Sequence, residues 1–211
     1  MEQLLQQIAD CILNFDRSAI EGKVQAALES GIAPGTILTD GLIAAMNEVG
    51  RRFESGEFFI PEMLVAAMTM QKGLDILQPR LEETGVKSAG TVIIGTVKGD
   101  LHDVGKNLVA MMLKGTGFDV IDLGVDISPE RFVQGVREKK PDILAMSALL
   151  TTTMPNMQST IDALKETGLR RRVKVIIGGA PLSDSYAKEI GADGYAADAN
   201  GAVKLARSLI K

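Results

Sequence analysis

From residue 91 onward, five short apolar runs alternate with five helical patterns, and this alternation limits the possible folds more than any other feature of the chain. The runs lie near 91–97, 119–123, 142–147, 173–178 and 193–196. The helical patterns lie near 104–115, 129–139, 155–167, 183–190 and 199–210. Strands this apolar are buried on both faces, and strand–helix alternation places them in one parallel sheet covered by helices. Five such units in about 120 residues predict a flavodoxin-like or Rossmann-like α/β domain with a five-stranded parallel sheet.

The residues before this region carry only helical periodicity. Leu4, Leu5, Ile8, Cys11 and Ile12 form a first apolar stripe. Asp16 is placed to cap a second helix bearing Ile20, Val24, Ala27 and Leu28, which Gly31 ends. Pro34 suits the first turn of a third helix, with Leu38, Leu42, Ala45, Met46, Val49 and Phe53 on one face and Gly56 at its end. Pro61 opens a fourth, with Leu64, Ala67, Met68, Gln71, Leu74 and Leu77. Four amphipathic helices with short loops predict a four-helix bundle over 1–85. The aperiodic stretch Gly85–Gly90 supplies a linker at 86–90, and the α/β domain spans 91–211.

Composition narrows the function classes. A net charge of -4 leaves no basic footprint for nucleic acid. No run of about 18 apolar residues spans a membrane, and Met1–Gln7 lacks a signal peptide's basic and apolar regions. A single cysteine, Cys11, on an apolar helix face fits a reducing, cytoplasmic setting. With no Trp and 4% aromatic residues, a large ligand must be held by aliphatic, backbone and hydroxyl groups.

In a parallel sheet, ligands bind at the carboxyl ends of the strands. The first strand runs into Gly99-Asp100-Leu101-His102-Asp103-Val104-Gly105-Lys106-Asn107, which holds the only histidine. Asp100, two residues before His102, can accept its Nδ1 proton and leave Nε2 as a free donor to a metal. A loop histidine can equally be a surface or hydrogen-bonding residue, and the motif alone leaves both readings open. Gly105-Lys106 resembles the end of a phosphate loop, but Asp100 stands where that loop needs glycine and Asn107 where it needs a hydroxyl. The spacing of Gly95, Gly99 and Gly105 does not fit a dinucleotide fingerprint. The third strand runs into Ser147-Ala148-Leu149-Leu150-Thr151-Thr152-Thr153, with four hydroxyls in seven positions. One of them is expected to cap the helix opened by Pro155. The fourth strand runs into Gly178-Gly179, which by itself reads as a tight turn.

These segments, Asp-x-His-x-x-Gly, Ser-x-Leu and Gly-Gly about 45 and 30 residues apart, together resemble the corrinoid-binding domain of the B12-dependent methyltransferase family. Arg52-Phe53-Glu54-Ser55-Gly56-Glu57-Phe58-Phe59-Ile60-Pro61-Glu62 resembles the loop of the helical cap that precedes that domain in methionine synthase and in methylotrophic corrinoid proteins. The resemblance implies cobalamin or a related corrinoid, bound base-off and His-on, with His102 as lower axial ligand to cobalt. Asp100 would hold the other imidazole nitrogen, and Thr153 would stand third in that relay. Ser147, Leu149 and Thr151 would line the displaced nucleotide tail, with Gly178 and Gly179 giving room. Gly105 would let the corrin edge approach, with Asp103 beside it. Phe53, Ile60 and Met63 would cover the upper, methyl-bearing face.

The function so implied is a methyl carrier. It takes a methyl group onto Co(I) from a donor-specific methyltransferase and delivers it from the methylcobalamin state through a second methyltransferase. The acceptor would be coenzyme M or a tetrahydrofolate, and a reductive activase would restore the cobalt. Such a protein is not catalytic alone. A cobalamin-binding sensor or a mutase subunit are the alternatives. The first usually adds a DNA-binding module and the second does not need the cap loop.

Overall fold

The computed structural model describes residues 2–84 and 88–210. The chain forms two compact units, one comprising residues up to Ser88 together with Lys114–Gly117, the other Ala89–Leu113 and the residues from Phe118 onward. Residues 85–87, where the linker is expected to begin, lie outside the described residues.

The first unit is helical. It contains α1 (Glu2–Leu13), α2 (Ile20–Glu29), a third helical stretch and α5 (Ile60–Thr84). The third stretch has three segments: α3 (Pro34–Thr36), a π-helical segment Ile37–Ile43 and α4 (Ala44–Glu54). Asp16 does not cap α2 itself. Its carboxylate accepts the Ser18 and Ala19 N–H groups in the turn before the helix. The π-segment holds an extra residue per turn and shifts the phase of the face it presents. Ile37, Gly41 and Gly50 are therefore buried with Leu42, Ala45, Met46 and Val49, while Leu38 and Phe53 are only half-buried. The face of α5 also differs from the expected stripe. Met63, Ala66, Ala67, Met70 and Leu77 are buried, and Leu64 is 36% exposed. Apolar residues surround most of this helix, so periodicity does not single out one stripe.

The second unit is the expected five-stranded parallel sheet, with β1 (Thr91–Thr96), β2 (Asp119–Asp122), β3 (Ile143–Ser147), β4 (Lys174–Gly178) and β5 (Gly194–Ala196). The helices α6 (Val104–Gly115), α7 (Pro129–Lys139), α8 (Pro155–Glu166), α9 (Asp184–Ile190) and α10 (Ala199–Leu209) alternate with them. The order β2-β1-β3-β4-β5 is flavodoxin-like, and the direction of winding reverses between β1 and β3. Strand β1 is buried from Val92 to Thr96, and Ile93, Leu144, Met146, Val175 and Ile177 join Phe132 and Ile161 in the core. In the β1–β3 register Thr96 lies opposite Ser147. The loops that leave these two strands therefore start side by side at the winding reversal.

Candidate functional site

Asp100 is the hub of this edge. It is 0% exposed, and one carboxylate accepts five hydrogen bonds. Its Oδ1 takes the His102 backbone N–H at 3.1 Å and the His102 Nδ1 hydrogen at 2.7 Å. Its Oδ2 takes the Leu149 N–H at 2.8 Å, the Leu150 N–H at 3.2 Å and the Thr153 hydroxyl at 2.9 Å. Burial pushes the Asp100 carboxyl up. The bonds from Leu149, from the His102 ring and backbone, and from Thr153 outweigh it and hold the group well below the usual carboxylate range. An ionised carboxylate can only accept, so Nδ1 carries a proton, and in the neutral ring Nε2 is the nitrogen with the lone pair. The His102 side chain is 52% exposed, which leaves that nitrogen accessible. Beneath the loop, the buried Thr96 hydroxyl donates to the His102 carbonyl at 2.9 Å.

Thr153 is 6% exposed, and its hydroxyl lies 2.8 Å from the Leu150 carbonyl as well as near Asp100. No residue of the hydroxyl run caps α8. Met154 occupies the N-cap without a side-chain bond, because Thr153 is turned toward Asp100. Asn156 ties the start of α8 to the loop that carries His102 by donating to the Lys98 carbonyl at 2.9 Å. Tyr186 donates to the Met154 carbonyl at 2.8 Å.

The structure thus joins Asp100, His102, Thr153 and the Leu149 backbone directly. Ser147 is half-buried at the end of β3, where its carbonyl accepts the Val97 N–H. Thr151 is exposed. Asp103 is exposed, with its carboxylate bonded to Asn107 at 3.1 Å within the same turn. A Cβ at Gly105 would meet nothing within 4 Å, so the surface beside His102 is open there. Gly179 has a different reason to be glycine than room for a ligand. Its φ is +140°, and a Cβ would run into the Ala148 carbonyl oxygen. Lys106 is buried, and its ammonium is committed to Asp122 and to Asn107, which agrees with rejecting a phosphate loop.

Of the expected contacts in the helical unit, Phe53 is half-buried, Ile60 is 57% exposed and Met63 is 1% exposed. Phe58 packs on Phe15 with ring centroids 5.4 Å apart and under the Arg52 guanidinium, so Phe59, 62% exposed, takes the outward place. Sequence reasoning also missed Leu101 and Val104, 71% and 75% exposed, which flank His102, and Leu150, 40% exposed.

Among the described residues no cluster of three or more His, Cys, Asp or Glu could hold a metal ion. One accessible imidazole nitrogen in an aliphatic rim suits a metal whose remaining ligands arrive with an organic cofactor. The donor set therefore fits a corrinoid.

Fold and site together define a ligand-binding α/β protein whose site lies at the carboxyl edge of a flavodoxin-like sheet. Comparison with known proteins narrows the class. Residues 90–204 match a family model described as a B12 binding domain, and residues 4–78 match a second model of the same description. Trimethylamine corrinoid protein 2 of Methanosarcina acetivorans is 43% identical over 100% of this chain and 98% of its own length. The dimethylamine corrinoid protein of Methanosarcina barkeri is 41% identical over 99% of this chain and 98% of its own. Among solved structures, a cobalamin-binding protein from Desulfitobacterium hafniense matches with TM-score 0.81 and 35% identity, covering 97% of this chain and 98% of that one. A chain of the methanol:cobalamin methyltransferase complex of Methanosarcina barkeri matches with TM-score 0.87 and 31% identity, covering 99% of this chain and 80% of that one. The chain belongs to the family of B12-binding corrinoid proteins. No helix among the described residues is long and apolar enough to cross a membrane.

Proposed function

We propose that this chain is a corrinoid-bound methyl carrier working between two methyltransferases. The bound corrinoid supplies a cobalt centre that accepts and releases the methyl group. The observation that carries the reading is the Asp100–His102 pair, which leaves an accessible Nε2 on a ring fixed in one tautomer. His102 would hold the cobalt through Nε2 in place of the cofactor's own base. Asp100 would hold the ring's orientation and tautomer, so that Nε2 is the nitrogen offered to the metal. Thr153 would keep Asp100 in place. Ser147, Leu149 and Thr151, with Gly178 and Gly179, would line the nucleotide tail, and Gly105 and Asp103 would border the corrin. The trimethylamine and dimethylamine corrinoid relatives, similar over full length, support a methylamine as the source of the methyl group. The donor would be read by a partner methyltransferase. A second methyltransferase would pass the methyl group to coenzyme M or a tetrahydrofolate, with a reductive activase, in the cytoplasm.

The test is the EPR spectrum of the Co(II) form, prepared with nitrogen-15-labelled protein and unlabelled cobalamin. The axial-nitrogen splitting should change with the protein label. A splitting that stays that of the cofactor's own base removes His102 as the ligand.

A further inference from the structure

The ligand loop is gripped from the β3 side by Leu149, Leu150 and Thr153, and at Lys98 by Asn156. A second grip comes from the other side, in the segment after β2, which lies outside the motifs of the sequence analysis. Asp126 has φ +56°, in the left-handed region that a residue with a side chain enters at a cost. Its Oδ1 accepts the Gly99 N–H at 2.7 Å, and its own N–H donates to the Asp100 carbonyl at 3.1 Å. Next to it, the Ile127 N–H donates to the Thr96 carbonyl at 2.9 Å, and Ile127 pairs with Val97. Residues 126 and 127 thus run along 96–100 like a short extra rung of sheet. Gly124, two residues earlier, also has positive φ, at +93°. The turn therefore uses glycine where only conformation matters, and at 126 it carries a carboxylate. A strained residue that makes two bonds to the backbone of a ligand loop is the pattern expected of local strain kept for a site.

We propose that Asp126 is a positioning residue for His102. The proposal rests on the reading of His102 as axial ligand. One Asp126 bond enters at the N–H of Gly99 and the other at the carbonyl of Asp100, so together they fix the backbone of these two residues. That backbone sets the direction in which the Asp100 side chain leaves the loop. Asp100 in turn holds the His102 ring, so Asp126 fixes how far Nε2 stands above the sheet edge.

Three substitutions separate the bond from the strain. Asp126→Ala loses the acceptor and keeps the strain. Asp126→Gly loses the acceptor and relieves the strain. Asp126→Asn keeps an acceptor oxygen and tolerates the left-handed backbone. Each full-length variant is loaded with Co(II) cobalamin on nitrogen-15-labelled protein, and EPR gives the ratio of protein-ligated to unligated cobalt. Loss of one hydrogen bond should lower that ratio about fivefold in Asp126→Ala and Asp126→Gly, with Asp126→Asn within about twofold of wild type. Asp126→Gly at the wild-type ratio, Asp126→Asn falling with Asp126→Ala, or all three unchanged overturns the proposal. If Asp126→Ala does not fold, Asp126→Gly against Asp126→Asn decides. The wild-type spectrum separates the two claims. Without protein-nitrogen splitting there, the axial-ligand reading fails and takes this one with it. With that splitting present and the variants unchanged, only the role of Asp126 fails.

Discussion

Replacing Asp100 with Asn changes one atom and forces a choice. One carboxylate oxygen becomes an NH2 group, which donates instead of accepting. If the NH2 takes the Oδ2 place, it faces three donors, the N–H groups of Leu149 and Leu150 and the Thr153 hydroxyl. If it takes the Oδ1 place, it faces the N–H and Nδ1 of His102. The imidazole can adapt by moving its proton from Nδ1 to Nε2, so only the His102 backbone N–H stays unsatisfied. Each unmatched donor costs about 1–3 kcal/mol, which favours the second arrangement by at least that much. The remaining bonds to Oδ2 also lose their charge, at roughly 0.5–1 kcal/mol each. Relief of burying a charge works the other way. The net loss of stability comes to about 1–3 kcal/mol, small enough for the domain to stay folded.

The functional consequence is larger than the stability loss, because an Nε2 that carries a proton has no lone pair for a metal. Asp100→Asn should fold, and its Co(II)-cobalamin EPR spectrum should lose the protein-nitrogen splitting. Urea unfolding of the cofactor-free protein gives the stability. The difference from wild type should depend on pH. The depressed pKa of Asp100 means that its contribution is present above the unfolded value of about 3.9 and is lost as pH falls through the folded value. The gap should therefore be full between about pH 5 and 7 and shrink below about pH 4. Retained protein-nitrogen splitting in Asp100→Asn, or a gap that widens toward low pH, refutes the tautomer argument.

Gly105→Ala should raise the stability of the cofactor-free protein by about 0.5–1 kcal/mol, since the new Cβ meets open space in the first turn of α6. The same variant should retain corrinoid less well, and equal retention on a desalting column would detach Gly105 from the corrin edge. Gly179→Ala should cost about 3 kcal/mol or more, because φ and the Ala148 carbonyl both oppose a side chain there; an unchanged urea midpoint contradicts that. Lys106→Met should cost about 1–3 kcal/mol, below the usual loss for breaking a buried pair, because Asp122 is 38% exposed and can regain water. A loss above about 4 kcal/mol would mean that Asp122 stays dry without its partner.

The α/β half of the chain was legible almost to the residue because its signals are local. Apolar runs bounded by Pro129, Pro141 and Pro155 admit few alternatives, and observed strand ends fall within a residue of those expected. The bundle was legible as four helices but not in its faces. A π-helical segment shifts one phase, and α5 is apolar on too many sides for a period to choose. At the site, the Asp100–His102 pair could be read from its side chains, and Thr153 only through the family resemblance. The Leu149 and Leu150 donors could not, since a backbone N–H leaves no mark in the residue type. Asp126 was hidden because its role depends on a left-handed backbone that nothing in Gly-Val-Asp announces. The hydroxyl run misled for the same reason. A cap for α8 is a local expectation, and the bond from Thr153 to Asp100 crosses 53 residues.

That long reach explains why an aspartate two residues before a histidine is not by itself a ligand site. In an isolated loop the pair would be hydrated, the ring free to flip and the carboxylate free to leave it. Here the register of β1 against β3 sets Thr96 beside Ser147, which brings the N–H groups of residues 149 and 150 to the same place as the Asp100 carboxylate. Backbone donors already fixed by the fold lose little further entropy when they bind it. A buried carboxylate with three donors on one oxygen stays ionised, and its other oxygen can then do nothing but accept from Nδ1. The tautomer of the neutral His102 ring is in this way set by strand order and register, properties of the sheet and not of the motif. The same six residues grafted onto a loop without a neighbouring strand should show an imidazole that exchanges tautomers and holds cobalt weakly.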